Sequence, residues 1–424
     1  MARILLATLG SYGDVNPYLA LGRELKRRGH SVVLSTSSFY RADAEREGLD
    51  FAPMRPEADP ADKALMAALM DPRSGSETVV RGFVMPAVRD SYEDLEKAAR
   101  GADLLVSHML TYAVPLLAEK TGRPWVSTVL QPLLFFSPHD PPVVPNAPWL
   151  AALRPFGPAV NSAWIAAAKV VSRGWAAPVR ALRRDLGLPP GPDPLFHGHV
   201  SPHGMLALFS AAFGPPQPDW PRGVKVCGFP FLDSDIGGAR SLDPALSAFL
   251  EAGPPPLVFT LGSFAVNVAG EFYARAAEAA NRLGRRAVLL AGPAADAMTG
   301  LPSGVVAARS APYHLLFPRA AAVVHSGGVG TTAQALRGGR PQVVVPHAHD
   351  QFDNGARVER LGAGRVVLPS RLVGGRLERV LGPLLEDAGA RRRAAEIGSA
   401  IAGERGVENA CDAIEAALPA RTAR

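Results

Sequence analysis

Short apolar segments alternate with helical segments along the chain, and the alternation occurs in two successive runs. The first run opens with a strand predicted at 3–8, a glycine-containing loop, and a helix that begins at Asn16 with Pro17 at its first position. The second run opens with a strand predicted at 257–261 and a helix at 271–283. Fully apolar strands joined through helices favour parallel sheets covered on both faces. The pattern therefore predicts an α/β fold with two doubly wound domains.

A Pro- and Gly-rich stretch at 214–230 separates the two runs. The length of 424 residues fits two domains of about 200 residues each. We predict, in chain order, a Rossmann-like domain at 1–214, a linker at 215–235, a second Rossmann-like domain at 236–405, and a C-terminal helix at 406–424 that could pack back on the first domain.

The composition is that of a globular protein and argues against a nucleic-acid partner. Hydrophobic residues make up 47% of the chain and charged residues 20%, so a sizeable core is available. The formal charge of +6 comes from basic residues that are scattered except at 391–393. A nucleic-acid-binding protein would concentrate them on one face. No nucleic-acid partner is therefore expected.

The cysteines and the apolar runs bear on disulfides, metals and membranes. Cys227 and Cys411 have no C-x-x-C or Cys/His spacing, which leaves neither a disulfide framework nor a zinc site. Nowhere do 18 consecutive apolar residues occur, so no membrane span is expected. We expect a cytoplasmic protein with small-molecule partners, and its oligomeric state stays open.

The segment from His325 to Thr332 carries the strongest chemical signal. It follows a predicted strand, opens a predicted helix, and reads His-Ser-Gly-Gly-Val-Gly-Thr-Thr. Glycines let the backbone approach a ligand closely, and free amides at a helix N-terminus attract anions. The segment is predicted to bind a diphosphate; a tight strand-to-helix turn that needs small residues is the alternative.

Asp350 and Gln351 follow the next predicted strand, at the sheet edge where ligands bind in open α/β proteins. A carboxylate and an amide could together hold vicinal sugar hydroxyls. The alternative is that Asp350 only caps a helix beside a polar neighbour.

These residues resemble a known family. His325, Gly327, Gln334, Pro341 and the spacing from Pro346 to Gln351 resemble the donor-binding signature of the family 1 nucleotide-sugar glycosyltransferases. The resemblance implies the GT-B fold, in which two Rossmann-like domains face each other across a cleft. It implies an acceptor-binding first domain, a nucleotide-sugar-binding second domain, and no cofactor or essential metal.

Three blocks at 260–263, 325–334 and 350–354 more closely resemble the bacterial branch that includes the rhamnosyltransferase B chain and the sterol and macrolide enzymes. Carried over by position, the resemblance implies donor-diphosphate contacts at Gly262, Ser263, His325, Ser326, Gly327, Gly328, Gly330 and Thr331, ribose or base contacts at Gln334, Ser310 and Pro312, and donor-sugar contacts at Asp350 and Gln351. The plant-type base-stacking Trp has no counterpart near Ser310, so the donor is left as a UDP-glucose or dTDP-rhamnose type.

Asp14 is the candidate catalytic base of the first half. It lies in the Gly-rich loop after the first strand, and it matches the Asp of the glycopeptide, sterol and rhamnosyl branches. A carboxylate near a helix N-terminus stays ionised at neutral pH but is a weak base; the alternative is that Asp14 only caps the turn. The resemblance implies inverting transfer to an acceptor hydroxyl.

Other residues of the first half are weaker candidates. His108, at the end of the strand predicted at 104–106, could reach Asp14 or the acceptor as a second catalytic residue. Phe135, Phe136 and Trp149 would form apolar walls for a polyphenol, terpenoid or lipid acceptor. Their alternative is ordinary core packing.

Other classes of function compete with glycosyl transfer. A nicotinamide-dependent oxidoreductase is disfavoured because the first loop is Gly10-x-x-Gly13 and no acidic residue ends the second strand. A noncatalytic sugar-nucleotide binder, or an epimerase on the same fold, remains open. The D-x-D sequence at 233–235 is a weak metal signal because it lies away from any phosphate loop.

Overall fold

A computed structural model describes residues 1–59, 62–233, 238, 240–372 and 374–420. Its strands form two parallel sheets. The first sheet has the order β3-β2-β1-β4-β5-β6-β7. Its strands are β1 (Arg3–Ala7), β2 (Ser31–Thr36), β3 (Asp50–Pro53), β4 (Leu104–His108), β5 (Trp125–Val129), β6 (Met205–Ala207) and β7 (Val224–Val226).

The second sheet has the order β10-β9-β8-β11-β12-β13. Its strands are β8 (Leu257–Thr260), β9 (Ala287–Leu290), β10 (Val305–Ala308), β11 (Ala322–His325), β12 (Gln342–Val344) and β13 (Gly364–Val366). In each sheet the strand order reverses once, between β1 and β4 and between β8 and β11. The crevice outside the carboxyl ends of the strands at such a reversal is where α/β proteins bind ligands.

Helices cover both faces of each sheet. They are α1 (Tyr12–Arg27), α2 (Arg41–Arg46), α3 (Lys63–Leu69), α4 (Gly75–Glu77), α5 (Val88–Ala98), α6 (Ala113–Thr121), α7 (Pro158–Ser172), α8 (Ala177–Asp185), α9 (Pro244–Glu251), α10 (Gly262–Ala265), α11 (Phe272–Arg282), α12 (Tyr313–Leu316), α13 (Val329–Arg337), α14 (Gln351–Arg360), α15 (Arg376–Glu386), α16 (Ala388–Ala402) and α17 (Gly406–Ala416). The predicted fold class of two doubly wound α/β domains is confirmed.

The apolar strands are continuous because both of their faces are buried. Leu6 and Val106 pack into the cluster formed with α1 and α17, whereas Leu5 and Leu105 pack into the cluster on the opposite face, with α5, α6 and α8. Successive side chains of a strand point to opposite faces. An apolar residue is therefore needed at every position of these strands, which explains why the sequence pattern is unbroken rather than alternating.

The segment predicted as a linker is partly a strand. β7 lies within 215–235 and pairs in parallel with β6, Met205 opposite Val224. The first sheet therefore continues past residue 214, and a three-residue strand between Pro-rich turns was too short for sequence periodicity to reveal. Ser234 and Asp235 of the D-x-D sequence lie outside the described residues.

The last helix crosses back to the first domain. The Arg28 side chain at the end of α1 donates to Glu415 and Asp412 of α17, each at 2.6 Å, and His30 lies 2.8 Å from Glu415. Cys411 is fully buried in the cluster shared with α1. α17 thereby ties the second half of the chain to the first domain.

Candidate functional site

Asp14 lies inside α1, and a capping box places its carboxylate. The Ser11 hydroxyl accepts the Gly13 N–H, while Asp14 Oδ2 accepts the Ser11 N–H at 2.7 Å and the Ser11 hydroxyl at 3.1 Å. The predicted helix start at Asn16 is therefore wrong, because the Ser-x-x-Asp pair satisfies the first free amides five residues earlier. Asp14 Oδ2 therefore has the capping role that the alternative interpretation gave it. Asp14 Oδ1 takes no part in the capping box and can contact other groups.

A glycine is required beneath this carboxylate. Gly10 has a φ of +132°, and a methyl group on it would lie 2.3 Å from Asp14 Oδ2. Any side chain at this position would therefore push the Asp14 carboxylate away from the Ser11 amide. The loop conformation and the placement of the candidate base are determined together.

Burial makes Asp14 a stronger base than expected. It raises the pKa of Asp14 to about 6, although the two hydrogen bonds from Ser11 act in the opposite direction. The side chain keeps 22% of its surface exposed, so a hydroxyl can reach it. The expectation of a weak base is corrected, because desolvation outweighs the helix N-terminus and brings the pKa close to neutral pH, where a general base is most effective.

His108 faces Asp14 as a neutral ring. Its Nε2 lies 3.7 Å from Asp14 Oδ1, and its Nδ1 accepts the Leu110 N–H at 3.4 Å, so the ring proton belongs on Nε2. Burial lowers the pKa of His108 to about 3. His108 therefore cannot supply a positive charge to Asp14 at neutral pH, and its Nε2 is buried without a hydrogen-bond partner among the described residues.

The loop between β11 and α13 presents free amides at a helix N-terminus. Asp350 Oδ2 accepts the Val329 N–H at 3.2 Å, and the Thr332 N–H bonds to the Gly328 carbonyl at 2.9 Å. Within the described part of the chain, the Gly330 and Thr331 amides have no acceptor. A methyl group on Gly328 would meet nothing within 4 Å. The loop therefore has space and donors for an anion.

The turn after β8 meets the same loop. Gly262 has a φ of +73°, and a methyl group on it would lie 3.4 Å from Thr331 Oγ1 and 4.0 Å from Ser326 Oγ. The Ser326 hydroxyl itself donates to the Leu261 carbonyl at 2.8 Å. Ser263 follows Gly262 in α10. The predicted diphosphate residues on the two loops therefore converge at one point.

His325 is placed differently from its predicted role. It is fully buried, its Nε2 lies 2.8 Å from Gln342 Oε1, and its Nδ1 accepts the Gly327 N–H at 3.1 Å. Burial also lowers the pKa of His325 to about 4. Both ring nitrogens are bonded inside the protein, so His325 shapes the loop and neither nitrogen is left over for the predicted diphosphate contact.

Asp350 and Gln351 line the edge of this loop. Asp350 Oδ2 accepts from Asn354 Nδ2 at 2.7 Å as well as from Val329, and Asn354 also donates to the Gly327 carbonyl at 2.8 Å. Burial, and then the charge of Asp14, raise the pKa of Asp350 to about 7. Gln351 Oε1 accepts the His347 and Ala348 amides, so its Nε2 is the group left to donate to a sugar.

The two loops meet across the interdomain crevice. A methyl group on Gly330, at the start of α13, would lie 3.4 Å from Gly13 Cα at the start of α1. The N-termini of the two helices therefore point into one space, with Asp14 on one side and the free amides of α13 on the other. The free N-terminal amides of α13 favour a bound anion in this space, whereas the N-terminus of α1 is capped by the Asp14 carboxylate.

The predicted ribose and base residues lie within α13 and in the segment that follows β10. Gln334 Oε1 is buried without a partner among the described residues, as an acceptor awaiting a hydroxyl would be. Ser310 and the buried Pro312 follow β10 at the same sheet edge. Tyr313 stacks on Phe317 with ring centroids 4.3 Å apart, and its hydroxyl bonds to Thr260 Oγ1 at 3.0 Å.

The aromatic residues predicted for the acceptor have other surroundings. Phe135 stacks on Trp220 with centroids 4.0 Å apart, and Phe136 packs edge-on against Phe196 at 5.0 Å. Trp149 is 68% exposed on the 3₁₀ segment Pro148–Phe156. Phe135 is partly buried against the core of the first domain, Phe136 is partly exposed, and Trp149 lies on the surface, so their role as acceptor walls stays a prediction.

The side chains and helices of the described residues bear on metal binding and on membrane insertion. Among the described residues, no group of three or more His, Cys, Asp or Glu side chains could hold a metal ion. Within those residues, no helix combines the length and apolarity needed to cross a membrane.

Two contacts that position site residues, those of Ser11 and Asn354, were not predicted from the sequence. Ser11 carries the signature of a capping box, a local pattern that could have been found. Asn354 lies four residues after Asp350, one helical turn away, and its role in holding Gly327 depends on a loop 27 positions earlier. The first could be predicted from neighbouring residues, whereas the second required the fold.

Comparisons with known proteins agree at both ends of the chain. Residues 4–88 match the glycosyltransferase family 28 N-terminal domain, and residues 285–412 match the erythromycin biosynthesis protein CIII-like C-terminal domain. The O-mycaminosyltylonolide 6-deoxyallosyltransferase of Streptomyces fradiae is 36% identical over an alignment of 438 residues, gaps included. The alignment covers 99% of this chain and 98% of that protein.

Solved structures show the same fold. The glycotransferase of kitacinnamycin superposes with a TM-score of 0.73 at 23% identity, covering 99% of each chain. The spinosyn rhamnosyltransferase in complex with thymidine diphosphate superposes with a TM-score of 0.69 at 19% identity, covering 98% of this chain and all of that one. Both support the two-domain GT-B arrangement.

Proposed function

Because this chain belongs to the glycosyltransferases that join a family 28 N-terminal domain to an erythromycin CIII-like C-terminal domain, we propose that it is an inverting enzyme using Asp14 as its base. The donor is a thymidine or uridine diphosphate hexose, and the acceptor is a hydroxyl of an apolar natural product. The observation that carries this proposal is the meeting of Asp14 and the free α13 amides in one crevice.

The chemical step follows from that arrangement. Asp14 Oδ1 takes the proton of the acceptor hydroxyl while the oxygen attacks the anomeric carbon. The bond between that carbon and the diphosphate oxygen breaks, and the leaving diphosphate is stabilised by the Gly330 and Thr331 amides. A single displacement by one oxygen nucleophile inverts the anomeric centre. His108 lies beside Asp14 as a neutral hydrogen-bond donor. Asp350 and the Nε2 of Gln351 orient the sugar.

The donor assignment draws on charge and on a structural neighbour. The free amides at the N-terminus of α13 supply partial positive charge where the diphosphate would lie, so the step as proposed does not call on a metal ion. The spinosyn rhamnosyltransferase was solved with thymidine diphosphate. We therefore place thymidine diphosphate sugars ahead of uridine diphosphate sugars.

Transfer can be tested directly. The protein is incubated with dTDP- and UDP-hexoses and a panel of apolar acceptors that includes O-mycaminosyltylonolide, and products are read by mass spectrometry and by NMR of the anomeric proton. We expect a β-linked product from an α-linked donor. Transfer with retention of configuration would contradict the inverting mechanism, and an altered sugar nucleotide without transfer would contradict the proposal and favour an epimerase.

The pH dependence of the reaction follows from Asp14. Since the base acts only when ionised, kcat/KM is expected to be constant at alkaline pH and to fall as pH drops through about 6. Stability changes in the opposite direction: Asp14 and Asp350 have raised pKa values in the folded state, so they bind protons more tightly there and stabilise the fold as pH falls. Thermal melting just below pH 6 separates loss of activity from unfolding, and an acid limb near the ordinary Asp pKa of 3.8 would contradict the assignment.

A further inference from the structure

The segment that follows β5 in the first domain is joined to α14 in the second by buried charges. Asp140 Oδ2 accepts from Arg357 Nη1 at 2.5 Å, and the Val143 N–H donates to Asp353 Oδ1 at 3.0 Å. Arg357 Nε also donates to Asp353 Oδ2 at 2.7 Å within α14. We call Asp140, Asp353 and Arg357 the interdomain clamp.

The clamp is almost sealed from solvent. The exposed fractions of the side chains are 8% for Asp140, 0% for Asp353 and 2% for Arg357. Arg154 also pairs with Asp140 from within the first domain. Removing charges from water costs free energy that only close pairing offsets. Two of the three contacts, Asp140 with Arg357 and Val143 with Asp353, join one domain to the other, so they require the domains to be closed on each other. The clamp therefore belongs to the closed form.

The residues of α14 divide into two sets. Asp350, at its N-terminal end, and Asn354 hold the Gly327 loop of the candidate donor site. Asp353 and Arg357, also spaced by four residues, hold the first domain. Residues four apart are neighbours on a helix, so one rigid helix carries both the donor contacts and the clamp.

The first-domain segment is itself held firmly. Ser137 donates to Asp219 Oδ1 at 2.6 Å, and Asn161 Nδ2 donates to the Pro138 carbonyl at 3.0 Å. The segment leaves the carboxyl end of β5, beside β4, which ends in His108. A displacement of α14 relative to this segment would therefore change the position of the donor sugar relative to Asp14.

We propose that Asp140 and Arg357 are positioning residues that align the donor sugar with the acceptor hydroxyl and keep water from the donor. This inference rests on the proposed transfer reaction. The clamp joins the two domains, whereas the proposed diphosphate contacts and the bonds of Asp350 and Asn354 to that loop lie within the second domain, so its loss leaves them intact. Its loss should lower transfer and raise the share of donor lost to water, with little change in nucleotide affinity.

The test uses Asp140→Asn, which weakens the link between domains while leaving Arg357 paired with Asp353. Transfer, donor hydrolysis and the Kd for dTDP are measured on the full-length protein. We expect kcat for transfer to fall about 10- to 100-fold, as for a displacement of about 1 Å, and the ratio of hydrolysis to transfer to rise. The Kd for dTDP should stay within about twofold of the wild-type value, since the clamp does not change binding that is equal in the ground state and the transition state.

Two further variants separate positioning from general stability. Asp94→Asn removes a carboxylate whose bonds to Arg55 stay inside the first domain, and it should leave the hydrolysis-to-transfer ratio unchanged. Arg357→Lys keeps a positive charge but not the fork that reaches both carboxylates, so it should give an intermediate ratio. An unchanged ratio in Asp140→Asn, or an equal change in Asp94→Asn, would overturn the proposal.

Failure of the clamp and failure of the proposed function give different results. If the wild type turns over none of the sugar nucleotides, the transfer proposal fails. The clamp is then judged by small-angle scattering of the wild type and Asp140→Asn with dTDP. A larger radius of gyration in the variant would support the clamp, and equal radii would refute it.

Discussion

Asp14→Asn is expected to lower kcat by about three orders of magnitude, within the range that general bases contribute. The amide of Asn can still accept the Ser11 N–H that Asp14 Oδ2 accepts at 2.7 Å, so α1 keeps its cap and the protein folds. It cannot take a proton from the acceptor. Steady-state kinetics with saturating donor and acceptor measure kcat, and calorimetry with dTDP should show nearly unchanged affinity.

The matched control is Asp43→Asn. Asp43 is a buried carboxylate of the first domain that accepts from the Tyr12 hydroxyl at 3.0 Å and pairs with Arg46. Its replacement disturbs packing near the first loop without removing the candidate base, so kcat should be nearly retained. An Asp14→Asn protein with most of its wild-type kcat would show that another group takes the proton.

Gly327→Ala is expected to disrupt the diphosphate loop. Gly327 has a φ of +93°, and a methyl group there would lie 2.6 Å from Val344 Cγ1 and 2.9 Å from the Gln351 carbonyl oxygen. Both neighbours belong to the packed second sheet and α14, so the loop must move. We expect a loss of stability of about 2 to 5 kcal/mol, adding about 1 to 2 for the backbone and 1 to 3 for overpacking. The increase in Tm on adding dTDP should disappear.

The adjacent glycine provides the control. Gly328 has a φ of −56°, and a methyl group on it would meet no atom within 4 Å. Gly328→Ala should therefore keep the Tm of the free protein but weaken dTDP binding, because the empty space is where the diphosphate is proposed to lie. If Gly327→Ala melts and binds dTDP like the wild type, the account of this loop is incorrect.

The sequence predicted most of the fold from local patterns. The strands β1 and β8 lie within the apolar runs predicted at 3–8 and 257–261, at Arg3–Ala7 and Leu257–Thr260, because fully buried strands need apolar residues throughout. The predicted start of α1 is wrong because the sequence holds two local start signals. Asn16-Pro17 predicts one start, but the helix begins at the Ser11–Asp14 capping box.

The candidate site was only partly accessible from the sequence. Its carboxylates and glycines could be selected because they follow strands at the ligand-binding edge. Their chemical states could not be read in this way. The pKa of Asp14 near 6 depends on burial, and the bond at His325 Nε2 depends on Gln342, 17 positions later.

The sequence alone determined the α/β class, the two sheets and the loops that carry the candidate site, because periodicity and turn residues act over a few neighbouring positions. The tertiary structure decided which of those loops meet: Gly13 against Gly330, and Asp140 against Arg357, 217 positions apart. Such contacts leave no mark in local pattern, since they form only when two separately folded sheets bring their carboxyl edges together and exclude water between them.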